Sequence, residues 1–201
     1  MSLKTSYTLI APFYDAAIDR ATRAARRASL AHLPKQPGRV LVNGVGTGLD
    51  LPLLPLQHHY VGLDLTAAML QRTRPRCGTL AGQLDFQPVQ GDAHALPFAN
   101  ASFDHAVLHL ILAVVPNPAA CLKEVVRVVR PGGTVLVFDK FLKPGQPAFL
   151  RRLANPLVRR LATRLDVVFE DVLGQTPALH LQSDEPALAA GWFRLIRLGR
   201  S

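Results

Sequence analysis

Three glycines at alternate positions, Gly44, Gly46 and Gly48, are the first residues whose type and spacing could do chemistry. They follow a short apolar run, residues 40–42, of the kind that forms a fully buried parallel strand. Because glycine has no Cβ, such a turn brings backbone N–H groups close to a ligand. The next apolar run ends in Asp64, whose carboxylate can accept hydrogen bonds from two ribose hydroxyls. The sequence therefore predicts a nucleotide-type site at the ends of two neighbouring strands.

The glycine spacing distinguishes two kinds of nucleotide site. The dinucleotide pattern G-x-G-x-x-G needs a glycine at position 49, where this chain has Leu49. The observed G-x-G-x-G leaves room for a nucleoside with an amino-acid tail, and it resembles motif I of class I S-adenosylmethionine-dependent methyltransferases. Three later stretches resemble that family in the same order. They are Q-G-D-A at 90–93, L-P-F followed by S-F-D at 96–104, and R-P-G-G at 130–133.

The resemblance implies an α/β fold, with a doubly wound, seven-stranded, mostly parallel Rossmann-like sheet and an antiparallel last strand. It also implies S-adenosylmethionine as the cofactor. The cofactor-binding residues carried over from the family are Gly44, Gly46, Gly48, Asp64, Leu65, Asp92, Ala93 and His109. Among them the glycines line the methionine end, Asp64 the ribose, and Asp92 with Ala93 the adenine. One position departs from the family, because Val42 stands where an acid usually helps to hold the methionine ammonium.

Methyl transfer is an in-line displacement at a carbon already activated by the charged sulfur, so the enzyme mainly positions the acceptor and excludes water. No Ser-His-Asp ordering and no activated cysteine are visible in the sequence. His105 and His109 lie on one predicted strand without a third ligand, and we expect no metal site. We predict that Tyr14 and His109 are the catalytic residues, which orient an acceptor amine by cation–π contact or hydrogen bonding.

The chain is long enough for one methyltransferase domain covering residues 1–201. Residues 1–38 form a helical lead-in, 39–140 the cofactor-binding core, 141–175 a basic helical insertion, and 176–201 the closing strand pair. Within the core we predict three further strands and three helices. The strands are 84–89, 103–109 and 133–139, and the helices are 49–56, 67–74 with Thr66 as cap, and 118–130.

The lead-in, residues 7–33, has a helical pattern that places Arg20, Arg23, Arg26 and Arg27 on one side. Its A-P-F-Y-D stretch at 11–15 resembles an element that precedes the core in methyltransferases acting on quinones and phospholipids. A helix that simply covers the sheet edge remains the alternative.

The net charge of +9 indicates an anionic partner. Residues 140–164 contain seven cations and no acid, interleaved with apolar residues at helical spacing. Such a helix can lie on an anionic membrane, through Arg151, Arg152, Arg159 and Arg160, or it can be a solvated basic face. We expect a cytoplasmic protein with reduced cysteines, with peripheral contact to the inner face of the membrane as the open alternative. Nucleic acid is the less favoured partner.

The stretch that follows the fourth strand, H-L-I-L-A-V-V-P-N-P at 109–118, resembles bacterial phosphatidylethanolamine N-methyltransferases, as does F-D-K-F at 138–141. Quinone C-methyltransferases share most of these motifs. We therefore predict methylation of a small amphiphilic acceptor, with the ethanolamine head group of a phospholipid as the specific expectation. The alternatives are a quinone-type or other small-molecule C- or O-methyltransferase, and a non-catalytic module that binds S-adenosylmethionine.

Overall fold

The computed structural model describes residues 3–142, 145 and 166–201, and for residues 3–15 it describes the backbone alone. Within this part of the chain seven strands form one sheet in the order β3-β2-β1-β4-β5-β7-β6. The strands are β1 (Arg39–Asn43), β2 (His59–Asp64), β3 (Asp85–Gln90), β4 (Phe103–His109), β5 (Val129–Lys140), β6 (Leu179–Leu188) and β7 (Phe193–Arg200).

Strand direction divides this sheet into two parts. All the neighbours among β1 to β5 pair in parallel, and β7 runs antiparallel between β5 and β6. From β1 the chain first builds the sheet outward through β2 to β3. It then crosses back, and β4 lies on the other side of β1, so the strand order reverses at β1. In an open α/β sheet, ligands bind at the carboxyl ends of the strands beside such a switch. The predicted fold class is confirmed.

The described helices are α1 (Leu3–Leu30), α2 (Ala67–Thr79), α3 (Pro118–Val128) and α4 (Phe169–Leu173). Several predicted boundaries were wrong, and among them α3 ends at Val128 instead of 130 because β5 begins at Val129 instead of 133. The predicted helix 49–56 is a single 3-10 turn, Leu51–Leu53, because its two prolines remove N–H donors. Helix α2 does not end at position 74 but continues through Pro75, which removes only one hydrogen bond of the helix.

The two residues at the N-cap positions of α2 and α3 make different hydrogen bonds. Asn117 caps α3 as its type allows, since its side-chain oxygen accepts from the Ala120 N–H at 3.0 Å. Thr66 occupies the cap position of α2 but makes no capping bond. Its hydroxyl donates instead to Asp64 at 3.2 Å. The predicted cap is therefore a residue that supports the site.

The two faces of the sheet bury separate apolar clusters. One face packs Leu41 and Leu108 against Val125 of α3. The other packs Val42 and Val107 against Leu30 of α1. These clusters pack both faces of the strands whose ends carry the site, which is the support that a precise site needs.

The arginines of α1 do not share one side as predicted. Arg26 is 2% exposed, whereas Arg20 and Arg27 lie at the surface. Arg26 precedes the buried residues Ser29 and Leu30 by three and four positions, so the helical repeat turns all three toward the sheet.

The basic insertion predicted at 141–175 lies largely outside the described residues, and so do Arg151, Arg152, Arg159 and Arg160. In the part of the chain that the structure describes, we find no helix with the length and apolar character to cross a membrane.

Candidate active site

The glycine turn after β1 has one position that faces open space. All three glycines adopt positive φ, +77° at Gly44, +57° at Gly46 and +80° at Gly48. A Cβ on Gly44 would run into Ile111, and a Cβ on Gly48 would meet Leu51 at 2.5 Å. A Cβ on Gly46 would find no atom nearer than 4.0 Å. Gly44 and Gly48 are therefore required by packing, and Gly46 is the point where a ligand can approach the bare backbone.

Asp64, at the carboxyl end of β2, supports this turn. One carboxylate oxygen accepts from the Gly46 N–H at 3.0 Å, and the other accepts from the Thr66 N–H at 2.9 Å. The Thr66 hydroxyl also donates to this carboxylate, so three of its roughly four acceptor positions are taken and about one is left for a ribose hydroxyl. The next residue, Leu65, is 64% exposed and offers an apolar surface beside the carboxylate.

The acidic turn after β3 is organised by a residue that the sequence reading missed. The Asp92 carboxylate accepts from both the backbone N–H and the ring Nδ1 of His94, each at 2.8 Å. The ring Nε2 in turn accepts from the Asn117 N–H at 3.3 Å. These bonds, chiefly the backbone one, lower the pKa of Asp92. Ala93, the next residue, is buried. Because the pKa of Asp92 is lowered, the turn presents an ionised carboxylate at the edge of the sheet.

The loop that follows Asp92 is braced from α3. Arg127 donates to the carbonyl oxygens of Phe98 at 2.7 Å and Leu96 at 2.8 Å. It also pairs with Glu124, which accepts from the Leu96 N–H at 2.8 Å. The hydrogen bond from Arg127 lowers the pKa of Glu124. This brace explains how the L-P-F loop keeps the Asp92 turn in place.

His109, the last residue of β4, is held at both ring nitrogens. Its Nδ1 lies 3.0 Å from Oδ2 of Asp50, and its Nε2 lies 3.0 Å from the Ser29 hydroxyl. The side chain is almost wholly buried. In this arrangement both nitrogens are engaged within the protein, so an acceptor would have to replace one of these partners. The predicted roles of His109, in cofactor binding and in orienting the acceptor amine, stay predictions.

Asp50, which the sequence reading did not select, is the centre of a buried charged cluster. Its second oxygen accepts from Arg26 at 2.9 Å, and Arg26 also bonds Thr22 at 3.0 Å and pairs with Asp19. Burial alone would raise the pKa of Asp50, but the charges and hydrogen bonds of His109 and Arg26 bring it to about 2. The only signal in the sequence was a carboxylate two positions after Gly48 in an apolar segment.

The structure thus brings together a serine, a histidine and an aspartate that no ordering in the sequence suggested. Ser29 comes from α1, Asp50 from the loop after the glycine turn, and His109 from β4. Asp50 and His109 meet at the ends of two neighbouring strands, and the packing of α1 against the sheet adds Ser29 to them.

The exit from β4 is fixed by a buried carboxylate. Asp139 of β5 is fully buried and accepts from the N–H groups of Ala113 and Lys140, at 2.9 and 2.8 Å. Burial raises the pKa of Asp139. Leu110 has φ of +59°, a conformation that costs a non-glycine residue about 1 kcal/mol or more. The surrounding bonds hold this strained exit beside His109.

The position at which the family usually has an acid is occupied by Val42. This side chain is buried, and Val42 pairs in register with Val107. The neighbouring Asn43 is also buried; its amide nitrogen lies 3.5 Å from the Cys121 sulfur, and its oxygen has no hydrogen-bond partner among the described residues. His109 follows Val107 by two positions, so it lies on the Val42 face of the sheet. On that face the carboxylate nearest to the end of β4 is Asp50, which contacts His109.

The predicted cofactor residues meet at one edge of the sheet. The glycine turn, Asp64, Asp92 and His109 follow or end β1, β2, β3 and β4 in turn. Tyr14 belongs to α1, but its side chain lies outside the described part of the chain, so its role also stays a prediction.

Comparisons with known proteins agree with this geometry. Residues 41–137 match the family model described as a methyltransferase domain. The chain is 31% identical over 192 residues to a phosphatidylethanolamine N-methyltransferase of Cereibacter sphaeroides, covering 93% of this chain and 92% of the relative. It is also 33% identical over 199 residues to a demethylmenaquinone methyltransferase of Roseiflexus castenholzii, covering 90% and 80%.

Among solved structures, a geranyl diphosphate methyltransferase in complex with S-adenosylmethionine superposes with a TM-score of 0.75 at 19% identity. The match covers 92% of this chain and 88% of the other. This chain belongs to the class I S-adenosylmethionine-dependent methyltransferases. It is a methyltransferase, and its cofactor is S-adenosylmethionine.

The residues present fit this cofactor. Gly46 leaves the space that a Cβ would otherwise occupy, and Asp64 retains acceptor capacity for a ribose. Leu65 offers the apolar surface on which a flat ring can lie. When bound, S-adenosylmethionine supplies a methyl group on a positively charged sulfur.

Proposed function

We propose that this methyltransferase acts on the amine of an amphiphilic acceptor, and that the acceptor is the ethanolamine head group of a phospholipid. The observation that carries the proposal is the similarity to the phosphatidylethanolamine N-methyltransferase, which extends over nearly the whole of both chains. The apolar β4 exit is consistent with an acceptor that has an apolar part, since Val114 in that exit is 42% exposed.

In this proposal the chain's own residues bind, orient and shield. The Gly46 backbone, Asp64 and Leu65 hold the nucleoside, and the ionised Asp92 receives the adenine amino group. The rigid β4 exit, held by Asp139, fixes the acceptor relative to the cofactor. Correct positioning of two reactants is the main source of rate in a displacement of this kind.

A specific observation favours a second candidate function, methylation of a quinone-type ring carbon. The demethylmenaquinone methyltransferase of Roseiflexus castenholzii is slightly more identical to this chain, although the match covers less of that relative. Both acceptors are amphiphiles. They differ in the attacking atom, which is an amine nitrogen in one and a ring carbon in the other.

The deciding experiment offers cofactor with a labelled methyl group to three preparations, namely phosphatidylethanolamine vesicles, a demethylated quinone in neutral vesicles, and neutral vesicles alone. We expect the label in the extracted phospholipid of the first preparation. Label found in the quinone and not in the phospholipid would replace the proposal by the second candidate.

We further propose that the chain meets its acceptor at an anionic membrane surface, on the inner face of the cytoplasmic membrane. The support is the basic sequence that contains Arg151, Arg152, Arg159 and Arg160. Each cation near such a surface contributes on the order of 1 kcal/mol, and salt screens this contribution. In flotation assays we expect salt-sensitive binding to anionic vesicles and little binding to neutral ones. Equal binding to both would favour a solvated basic face.

A further inference from the structure

We infer that Asp50 is the positioning residue of an Asp50–His109 pair that removes the proton from the acceptor amine. In the absence of acceptor, the Ser29 hydroxyl occupies the imidazole nitrogen that the amine takes over. This inference rests on the proposed function, because only an amine acceptor has an ammonium proton to lose.

The chemistry requires a proton acceptor. An ammonium nitrogen has no lone pair with which to attack a methyl carbon. A simple alkyl ammonium titrates near pH 10.4, so at pH 7 only about one amine in 2,500 is neutral. A positioned base typically contributes about 10²- to 10⁴-fold in rate.

The contacts of His109 define its tautomer. Asp50 is ionised and can only accept, so the His109 nitrogen 3.0 Å away, Nδ1, carries the proton. In the neutral ring, which is the form that can take up a proton, the other nitrogen, Nε2, is the acceptor of the Ser29 hydroxyl proton at 3.0 Å. The ring is also fixed by an edge contact with Phe138, with centroids 5.8 Å apart and planes at 88°. These contacts fix the orientation of the ring, and with it the direction in which Nε2 can accept a proton.

The proton transfer balances without a further reactant. The Ser29 hydroxyl is freed by rotation about one side-chain bond, and an ammonium N–H takes its place at Nε2. The N–H bond breaks, an Nε2–H bond forms, and the electron pair stays on the amine nitrogen for attack. The resulting imidazolium faces the Asp50 carboxylate, which offsets the cost of a charge in a buried position.

A purely structural role is the competing explanation, since the same residues tie α1 to the sheet. Thr22 separates the two roles because it bonds Arg26 at 3.0 Å, while no described bond joins it to His109 or Asp50. Thr22→Val keeps the shape and weakens the tie. Asp50→Asn keeps the shape of Asp50 and removes the charge, and Asp50→Glu restores the charge.

The test measures single-turnover methylation of phosphatidylethanolamine vesicles between pH 5 and 9 for the wild type and these three variants. Affinity for S-adenosylhomocysteine and thermal unfolding are measured in parallel. We expect Asp50→Asn to slow turnover about 10²-fold or more and to move the acid limb of the profile to lower pH, by roughly one unit. Asp50→Glu should recover part of the rate, and Thr22→Val should keep the wild-type profile.

An unchanged acid limb and turnover in folded Asp50→Asn would overturn the inference and leave the proposed function standing. The same holds if Thr22→Val reproduces the Asp50→Asn profile, because that would show a structural tie only. If the wild type methylates no aminophospholipid, the proposed function fails and the inference fails with it. Nitrogen-15 spectra of the His109 ring are a second readout, and a tautomer other than Nδ1–H in the wild type would also overturn the inference.

Discussion

Nδ1 of His109 lies 3.0 Å from Oδ2 of Asp50, although 59 positions separate the two residues in the chain. Asp50 follows the glycine turn after β1 and His109 ends β4, so this bond joins the carboxyl ends of two neighbouring strands. Arg26 adds α1 to the same cluster through its bond to Asp50 at 2.9 Å. A change at any of the three residues is therefore expected to affect both the cofactor side and the acceptor side of the site.

Replacing Asp64 with alanine should weaken cofactor binding roughly ten- to a hundredfold, or about 1–3 kcal/mol, because ribose hydroxyls would lose their acceptor. Asp85→Ala is the matched control, since this exposed carboxylate pairs with His59 at the amino ends of β2 and β3. Calorimetric titration with S-adenosylmethionine measures both variants. Equal affinities for Asp64→Ala and the wild type would remove Asp64 from the site.

Gly46→Ala and Gly44→Ala should separate ligand contact from packing. At Gly46 the added methyl enters open space, so we expect a strain cost of about 1 kcal/mol in stability and a clear loss of cofactor affinity. At Gly44 the methyl runs into Ile111, so the larger loss should be in stability. Urea unfolding and calorimetry on both variants test this. Unchanged affinity in folded Gly46→Ala would contradict the assignment of the open side.

The free energy of unfolding should fall as pH drops below about 6.5. His58 and His105 are buried with ring centroids 6.1 Å apart, and burial lowers the pKa of each from the ordinary 6.5. Below that pH the two imidazoles bind protons in the unfolded chain but stay neutral in the folded chain until the pH reaches their lowered pKa values. Each imidazole then contributes a slope of up to about 1.4 kcal/mol per pH unit, and above pH 6.5 neither contributes.

Urea unfolding at pH 5, 6, 7 and 8 measures this slope. The double variant His58→Gln, His105→Gln should flatten it, whatever its absolute stability. His180→Gln, at an exposed position of β6, should leave the slope as in the wild type. A slope that persists in the double variant would assign the acid sensitivity to other groups.

Arg127→Lys should destabilise the protein by about 1–2 kcal/mol, because an ammonium cannot replace the planar contacts to the carbonyls of Leu96 and Phe98 and to Glu124. Since this brace supports the Asp92 turn, cofactor affinity should also fall a few-fold. Lys123→Gln, at an exposed position of the same helix, should change stability by less than about 0.5 kcal/mol. Similar unfolding midpoints for both variants would show that the brace contributes little.

Tyr14→Phe should slow methyl transfer while leaving cofactor affinity nearly unchanged, if the hydroxyl orients the acceptor amine as predicted from the sequence. Turnover with phosphatidylethanolamine vesicles and calorimetry with cofactor give the two quantities. Tyr60→Phe is a useful comparison, because that hydroxyl donates to the Pro55 carbonyl at 2.7 Å inside the core. A loss of affinity without a loss of turnover in Tyr14→Phe would place Tyr14 at the cofactor instead.

The sequence by itself determined the fold class and the cofactor, and it predicted which residues at the strand ends bind that cofactor. The turn of Gly44, Gly46 and Gly48 and the carboxylate of Asp64 could be recognised because their chemistry depends on short spacings. Only the structure shows that Gly44 and Gly48 are required by packing and that Gly46 faces open space. The bounds of β4 were predicted correctly and those of β3 to within one residue, since apolar runs and turn residues are local signals, but the start of β5 was predicted at 133 and lies at Val129. Helix ends at prolines were less so, as Pro75 shows, because packing can outweigh one lost hydrogen bond.

Only the tertiary structure decided which polar residues meet. His94 at Asp92, Arg127 at the L-P-F loop, and Ser29, Asp50 and Arg26 around His109 all act across long separations in the chain. No periodicity marks such partners, because a polar residue of α1 has the same local pattern whether it faces water or the sheet. The sequence pattern therefore placed Arg26 on the same side as Arg20, Arg23 and Arg27. In the structure Arg26 is buried and pairs with the Asp50 carboxylate, because an unpaired charge in the core would be far more costly.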